Sequence, residues 1–419
     1  MKKNVWILNH YATNMYLDKA GRHYYFAENL INMGYTPTIF CASTIHNSTE
    51  SIDTGEKKHL VRITNRVPFV FIKTPNYGDN GKQRILNMVT FYINLMRVAK
   101  DYAEKNGRPD VILASSVHPF TLVAGIRIAK KFGIECICEV RDLWPESLIA
   151  YGSLKRTSLF TRLLYQGEKW IYKKADKLIF TMEGGKDYII DRGWHKDGKG
   201  SIDLNKVHHI NNGVDLEAFD YNKKNYILDD YDLKRQDTFK VVYAGSIRKV
   251  NNVRKIVEVA KVLKEKNRME IQFLIFGDGP EKLELEQHCI DHNLSNVKFK
   301  GQVDKGEIPY ILSVSNLNYI HFEQNDIKKY GASLNKMFEY FASGKPTISD
   351  CEFGYDLVKK YNSGIVLDNA NANQIAEGIL EIRNMPADKY EIYSRNAIEA
   401  AKNYDFKKLT LDLIELIEK

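Results

Sequence analysis

Lys336 and Glu339 lie three residues apart inside the stretch Gly331 to Asp350, GASLNKMFEYFASGKPTISD. On a helix that spacing puts an ammonium and a carboxylate on one face. The ammonium suits a phosphate and the carboxylate suits sugar hydroxyls, so the pair can hold both parts of one ligand. Gly331, Ala332 and Ser333 precede them in a loop opening the helix, where backbone N–H groups can also meet an anion. Ser343-Gly344 stops the helix, and Lys345-Pro346 turns the chain into the short apolar strand at 347–349. Any helix-to-strand connection can carry that stop and start, so the segment gains meaning from its surroundings.

Those surroundings read as short apolar runs alternating with longer helical patterns, the signature of parallel sheets built from βαβ units. The first half offers runs at 5–8, 38–41, 69–72, 111–114, 135–140, 177–181 and 207–210. The second begins afresh with 240–243, 272–276, 297–300, 317–321, 347–349 and 365–367. Ligands of such sheets bind beyond the carboxyl ends of the strands. Asn9-His10-Tyr11 and then Gly21-Arg22 follow the first run, Ser115 to Pro119 with His118 follow the fourth, and Arg141-Asp142 follow the fifth. In the second half Gly245, Ser246 and Arg248 follow the first run, Gly277-Asp278-Gly279-Pro280 the next, and Val303 the one after. A lone GDGP is a turn and a lone histidine is a loop residue. Their joint placement at strand ends in both halves is the stronger signal.

Length and composition agree with two domains of about 200 residues each. The 419 residues are 44% hydrophobic and 27% charged, with 10 Pro and 26 Gly, and contain no low-complexity tract. No window of about 20 apolar residues occurs, and MKKNVWILNHYATN reaches polar residues too soon for a signal peptide, so a cytoplasmic protein is expected. Five scattered cysteines imply no disulfide framework, and Cys136 and Cys138 are expected to pack in the core. Asp230-Tyr231-Asp232 has the form of a metal-binding DxD but sits in a polar connector, so a solvated linker is expected there and no metal or cofactor is called for.

Residues 1–200 hold 30 Lys plus Arg against 19 Asp plus Glu, while the remainder holds 31 against 34. A basic first half suits an anionic surface. The stretches Lys82–Lys100 and Arg156–Lys177 mix cations with apolar and aromatic residues at helical spacing, either as solvated faces of domain helices or as helices lying on a membrane. Nucleic acid is not expected, because no aromatic stacking motif accompanies the cations.

Asn211-Asn212-Gly213-Val214-Asp215 with Phe219, Gly277 to Pro280, Asn296 to Gly301 and the run FEYFASGKP from Phe338 to Pro346 resemble the family 4 nucleotide-sugar glycosyltransferases. Gly21-Arg22 and Glu139 to Pro145, EVRDLWP, are similar to the branch that builds bacterial O-antigen and capsule with amino sugars. The resemblance covers nearly the whole chain and implies the GT-B fold, two facing doubly wound Rossmann-like α/β domains. It implies donor binding by Gly245, Ser246, Arg248, Gly277, Val303, Gly331, Ala332, Ser333, Lys336 and Glu339, with Glu339 on the ribose. It places Gly21, Arg22, Arg141 and Asp142 on the acceptor side, and makes Arg248, Lys336, Asp142 and His118 the catalytic candidates. The family carries a second glutamate eight residues before Glu339, where this chain has Gly331, and its usual basic pair after the first strand of the second half is Ser246 and Asn251 here.

The implied activity is transfer of a sugar, with retention, from a nucleotide diphosphate donor of the UDP type to a lipid-linked glycan precursor, without a metal. The implied location is the cytoplasmic face of the membrane, held peripherally. A UDP-sugar 2-epimerase of the same architecture and a silent partner of another transferase are the alternatives. The expected organisation is a first domain at 1–216, a linker at 217–237, a nucleotide-sugar domain at 238–395 and a helix at 396–419 returning to the first domain.

Overall fold

Runs of β-branched and aromatic residues that no helix period can absorb form the strands of a computed structural model describing residues 2–46, 48–78, 81–116, 118–323 and 325–419. Val117, inside the expected 115–119 loop, lies outside the described residues. The chain divides into two compact units, residues 1–211 with 406–419, and residues 212–405.

The first unit holds β1 (Asn4–Leu8), β2 (Thr36–Ala42), β3 (His59–Thr64), β4 (Val67–Ile72), β5 (Val111–Ser115), β6 (Glu135–Val140), β7 (Lys177–Phe180) and β8 (Val207–His209). They form one sheet in the order β3-β4-β2-β1-β5-β6-β7-β8. All neighbours are parallel except β3 and β4, with Ile7 of β1 paired to Ile39 and to Leu113. Central strands with helices on both faces are apolar throughout, and Val5 to Leu8 are fully buried. The β3 strand was not expected from the sequence. Its Arg62 and Ile63 face solvent at the sheet edge, and its turn to β4 uses Asn65 and Arg66, both left-handed at φ 44 and 70. That is the two-residue geometry of a hairpin without the glycine that usually advertises it.

The second unit holds β9 (Phe239–Ala244), β10 (Ile271–Phe276), β11 (Val297–Gly301), β12 (Leu317–Ile320), β13 (Thr347–Ser349) and β14 (Gly364–Val366), all parallel in the order β11-β10-β9-β12-β13-β14. The helix Arg254–Glu265 buries Ile256, Val257, Ala260 and Leu263 at three- and four-residue spacing in a core with Val241, Phe273 and Ile275. Both strand orders reverse direction beside the first strand of the sheet, which opens a crevice at the carboxyl ends there.

The segment 217–237 is folded into the second unit, where a linker was expected. Asp215 caps the helix Leu216–Asn225 by accepting from Ala218 N at 2.7 Å, and that helix buries Phe219. Asp230 caps the next helical turn at Leu233 N, and both Asp230 and Asp232 accept from Lys300 Nζ, at 2.7 and 2.6 Å. The carboxylates of the DxD pattern are therefore committed to a lysine. The helix Ala387–Asn403 belongs to the second unit, and only Phe406–Glu418 belongs to the first, so the chain changes unit at Asp405 and not at 396. Within the first unit Phe406 stacks on Tyr25 and Glu418 accepts from the Tyr35 hydroxyl at 2.6 Å.

Candidate functional site

In the second unit the turn after β9 is shaped by close backbone approach. A Cβ on Gly277 would lie 1.9 Å from Gly245 O, and one on Gly279 would lie 2.1 Å from Ile247 O. Glycine lets the GDGP loop press onto the 245–247 turn, and Ile247 N donates to Asp278 O at 2.9 Å while Gly245 N donates to Phe276 O at 2.9 Å. Asn251, standing where the family has a lysine, donates from Nδ2 to both the carbonyl and the hydroxyl of Ser246, each at 2.8 Å. Asn251 thus braces the turn at the position where the resemblance implies a cation.

The helix Asn335–Ala342 delivers its chemistry to the same turn. Tyr340 fixes it, its hydroxyl accepting from Ala244 N at 3.1 Å and donating to Tyr319 O at 3.5 Å. Lys336 Nζ sits 2.9 Å from where a Cβ on Gly245 would be, donates to the Tyr243 hydroxyl at 3.1 Å and lies 4.3 Å from that ring's centre. Tyr243 in turn donates to Ser246 O at 2.9 Å. Both Lys336 and Glu339 are half-buried. Desolvation lowers the Lys336 ammonium to about 8 against the pull of Glu339. It raises the Glu339 carboxyl to about 7, with Lys305 and Lys336 opposing. An ammonium and a carboxyl poised near neutrality, beside a glycine turn, can take a diphosphate and a ribose hydroxyl together.

The other expected donor residues fall out unevenly. Ser333 Oγ accepts from Asn212 N at 3.1 Å, and the Asn212 amide donates to Asn335, so the NGVD segment clamps the loop to the helix. Gly331, at φ 91, donates its N–H to Lys328 O at 2.9 Å, so that group is already engaged. Arg248 is exposed, and its side chain has no hydrogen-bond or ion-pair partner among the described residues. Val303 is half-buried beyond β11. Sequence reasoning passed over the roles of His321 and Asp350, which directly follow β12 and β13. His321 Nδ1 donates to Asp350 Oδ2 at 2.6 Å and the Tyr319 hydroxyl donates to the same oxygen at 2.8 Å, with His321 Nε2 and Asp350 Oδ1 buried and unpartnered among the described residues.

In the first unit a pocket of about 290 Å³, its open mouth included, lies past β5 and β6 and brings His118 and Asp142 together with Ser116, Trp144, Glu168 and Tyr172. His118 caps the helix Pro119–Phe132 in extended conformation. Burial, with a smaller push from Arg84, lowers its imidazole to about 3. Asp142 is solvent-exposed by area, but the protein around it raises its carboxyl while Arg141 opposes. Glu168 is buried, its two oxygens accepting from the Tyr172 and Tyr188 hydroxyls at 2.7 and 2.8 Å. Desolvation pushes it up to about 8 against those two bonds. Glu168 was missed because it stands among cations in a stretch read for its basic face, although its four-residue spacing to Tyr172 was available.

Arg22 is a correction. It is 3% exposed, with Nε on Glu139 Oε1 at 2.7 Å and its terminal nitrogens on the carbonyls of Asn211 and Ile210. His23 and Ser115 also bond Glu139, at 2.9 and 2.7 Å. Burial works against the Glu139 charge, yet Arg22 and His23 hold its carboxyl well below the usual range. Arg22 is therefore a buried structural cation and not an acceptor contact. Gly21, at φ 110, turns the chain into the helix Arg22–Asn32, and Arg141 is half-buried with its N–H on Ser116 Oγ at 2.9 Å.

Comparison with known proteins fits this division. A model described as Glycosyltransferase Family 4 matches residues 22–218, and one described as Glycosyl transferases group 1 matches residues 229–403. The chain is 20% identical over 283 residues to the probable glycosyltransferase WbjE of Pseudomonas aeruginosa, covering 67% of this chain and 65% of that protein. It is 25% identical over 218 residues to the putative teichuronic acid biosynthesis glycosyltransferase TuaH of Bacillus subtilis (strain 168), covering 51% of this chain and 50% of that one. The matched region thus spans between half and two thirds of these relatives. In fold, the chain is similar to Anabaena HepE crystallised with UDP and glucose, at a TM-score of 0.67 and 14% identity over the full length of both chains. With a family 4 domain in its first half and a group 1 domain in its second, on a shared GT-B architecture, the chain belongs to the family 4 glycosyltransferases.

Proposed function

We propose that this protein transfers a sugar from a UDP-sugar to a lipid-linked glycan acceptor, with retention, in the assembly of a bacterial surface polysaccharide. The observation that carries the reading is Lys336 held by Tyr243 against the Gly245 turn, with Glu339 one turn further along the same helix. HepE was crystallised with UDP and glucose, and the TuaH name refers to teichuronic acid biosynthesis, which favours this donor and this product class.

In the proposed reaction the bond between the sugar anomeric carbon and the diphosphate oxygen breaks, and UDP leaves with the electron pair. The acceptor hydroxyl bonds to that carbon on the same face, and its proton passes to the departing phosphate. Lys336 and Arg248 stabilise the growing negative charge, and Glu339 holds the ribose. Because Asp230 and Asp232 are bonded to Lys300, side-chain cations are the groups proposed to do this work without a metal.

A lipid-linked acceptor is favoured by the helix Leu159–Lys174 of the first unit. Leu159, Leu163 and Trp170 are 82%, 66% and 38% exposed on one stripe, with exposed Arg162 and Lys173 beside it. No helix among the described residues is long and apolar enough to cross a membrane, so the proposed attachment is along the surface. The test is UDP release from a panel of UDP-sugars, with and without anionic vesicles carrying lipid-linked glycan. Release that requires the glycan lipid and yields an elongated product supports transfer. Epimerised donor without an acceptor, or no turnover of any donor, overturns it.

A further inference from the structure

The direction of every hydrogen bond leading to His118 is fixed by a carbonyl. Asn87 Nδ2 stands 2.7 Å from Pro75 O and 3.1 Å from Thr44 Oγ1. A carbonyl only accepts, so the amide nitrogen faces Pro75 and Asn87 Oδ1 faces His10 Nε2, at 2.7 Å. His10 Nε2 must then carry the proton. Burial keeps His10 neutral, so its Nδ1 is a lone pair, and it receives a bond from His118 Nε2 at 2.6 Å. His118 therefore carries its own proton on Nε2. Its Nδ1 is a bare acceptor, buried and without a partner among the described residues.

An unpartnered buried acceptor calls for a donor from outside the protein. His118, Trp144 and Asp142 all line the first-unit pocket. An acceptor nitrogen and a carboxylate select hydroxyl and amide donors and disfavour an anion, while an indole face suits the apolar side of a sugar ring. Most of the 290 Å³ is open mouth, and the enclosed room is about that of one water, which suits a single inserted hydroxyl with the rest of the ring left in the mouth.

We propose that this pocket binds one uncharged sugar unit of the acceptor, whose hydroxyl donates to His118 Nδ1, and that Asn87, acting through His10, is the positioning residue that keeps Nδ1 free of a proton. The acceptor assignment rests on the transferase reading, whereas the selectivity of the pocket does not. Neither Asn87 nor His10 would touch the ligand. Their effect is on which nitrogen of His118 is available.

The test uses the full chain with ¹⁵N-labelled histidine and three probes, methyl glucoside, methyl N-acetylglucosaminide and glucuronate. The expected spectrum has His118 as the neutral Nε2–H tautomer, with its Nδ1 resonance moved by a neutral glycoside and not by glucuronate. His118→Phe should weaken neutral-glycoside binding by about fivefold to tenfold, the worth of one hydrogen bond. Asn87→Leu should mix the His118 tautomers, since His10 Nε2 then has no acceptor to fix its proton. An Nδ1–H tautomer in the unaltered chain, binding of glucuronate equal to that of the glucosides, or no binding of either neutral glycoside would overturn the proposal. Should Asn87→Leu fail to fold, the tautomer of the unaltered chain and His118→Phe still decide. UDP titration of the same samples separates the two readings: UDP binding without sugar selectivity sinks the pocket alone, and absent UDP binding sinks the transferase reading alone.

Discussion

Arg22 is committed to the interior of its own unit, with Nε on Glu139 and its other nitrogens on two backbone carbonyls. Arg22→Met leaves Glu139 buried without its strongest partner, so it should cost about 3–5 kcal/mol in denaturant unfolding. A residue that only touched an acceptor would lower turnover and leave unfolding unchanged, so the two measurements separate the roles. Lys336 makes a prediction in pH. With its ammonium lowered to about 8, it is charged below that pH and loses its proton above it. UDP affinity should therefore fall as pH rises through about 8, by up to about tenfold per pH unit until the higher pKa of the complex is reached. Lys336→Met should bind UDP about 10-fold to 100-fold more weakly at neutral pH, the range for a charge-assisted bond, and should show no such slope. A slope of the same size in Lys336→Met would assign the titration to another group.

At the scale of elements, the donor turn depends on two loops that only glycine lets meet. Gly277→Ala would drive a Cβ to 1.9 Å from Gly245 O, so it should destabilise the second unit by about 1–3 kcal/mol and reduce UDP binding with it. Gly167, in the helix Leu159–Lys174 with open space around it, gives the contrast: Gly167→Ala should raise stability by about 0.5–1 kcal/mol. Thermal melts of both variants check the pair. Thirteen of the fourteen strands among the described residues correspond to apolar runs readable in the sequence, because buried parallel strands are apolar on both faces. The exception, β3, is an edge strand with solvent-facing Arg62 and Ile63 and an Asn-Arg turn, so neither alternation nor turn chemistry announced it. Lys336 and Glu339 were legible from their helical spacing. Glu168 and Asn87 were not, and His10 was readable only as a strand-end residue, because their partners are distant in sequence: Tyr188 for Glu168, and the run from Asn87 through His10 to His118.

For the whole molecule, two parallel-sheet units divide the chemistry: Lys336 and Glu339 in the second, and the pocket of His118, Asp142 and Glu168 in the first. The polar composition of 217–237 suggested a linker, but capping aspartates and the buried Phe219 and Leu233 make it part of the second unit. Composition alone cannot distinguish a solvated linker from a short capped helix with one anchoring side chain. Every proposed step requires the second unit to hold a uridine diphosphate through Lys336 and Glu339. Calorimetric titration of the full chain with UDP tests that requirement most directly. The account predicts saturable binding that Glu339→Ala weakens by about tenfold or more, since ribose hydroxyl bonds to a charged carboxylate are lost. No binding, or binding unchanged in Glu339→Ala, would contradict it.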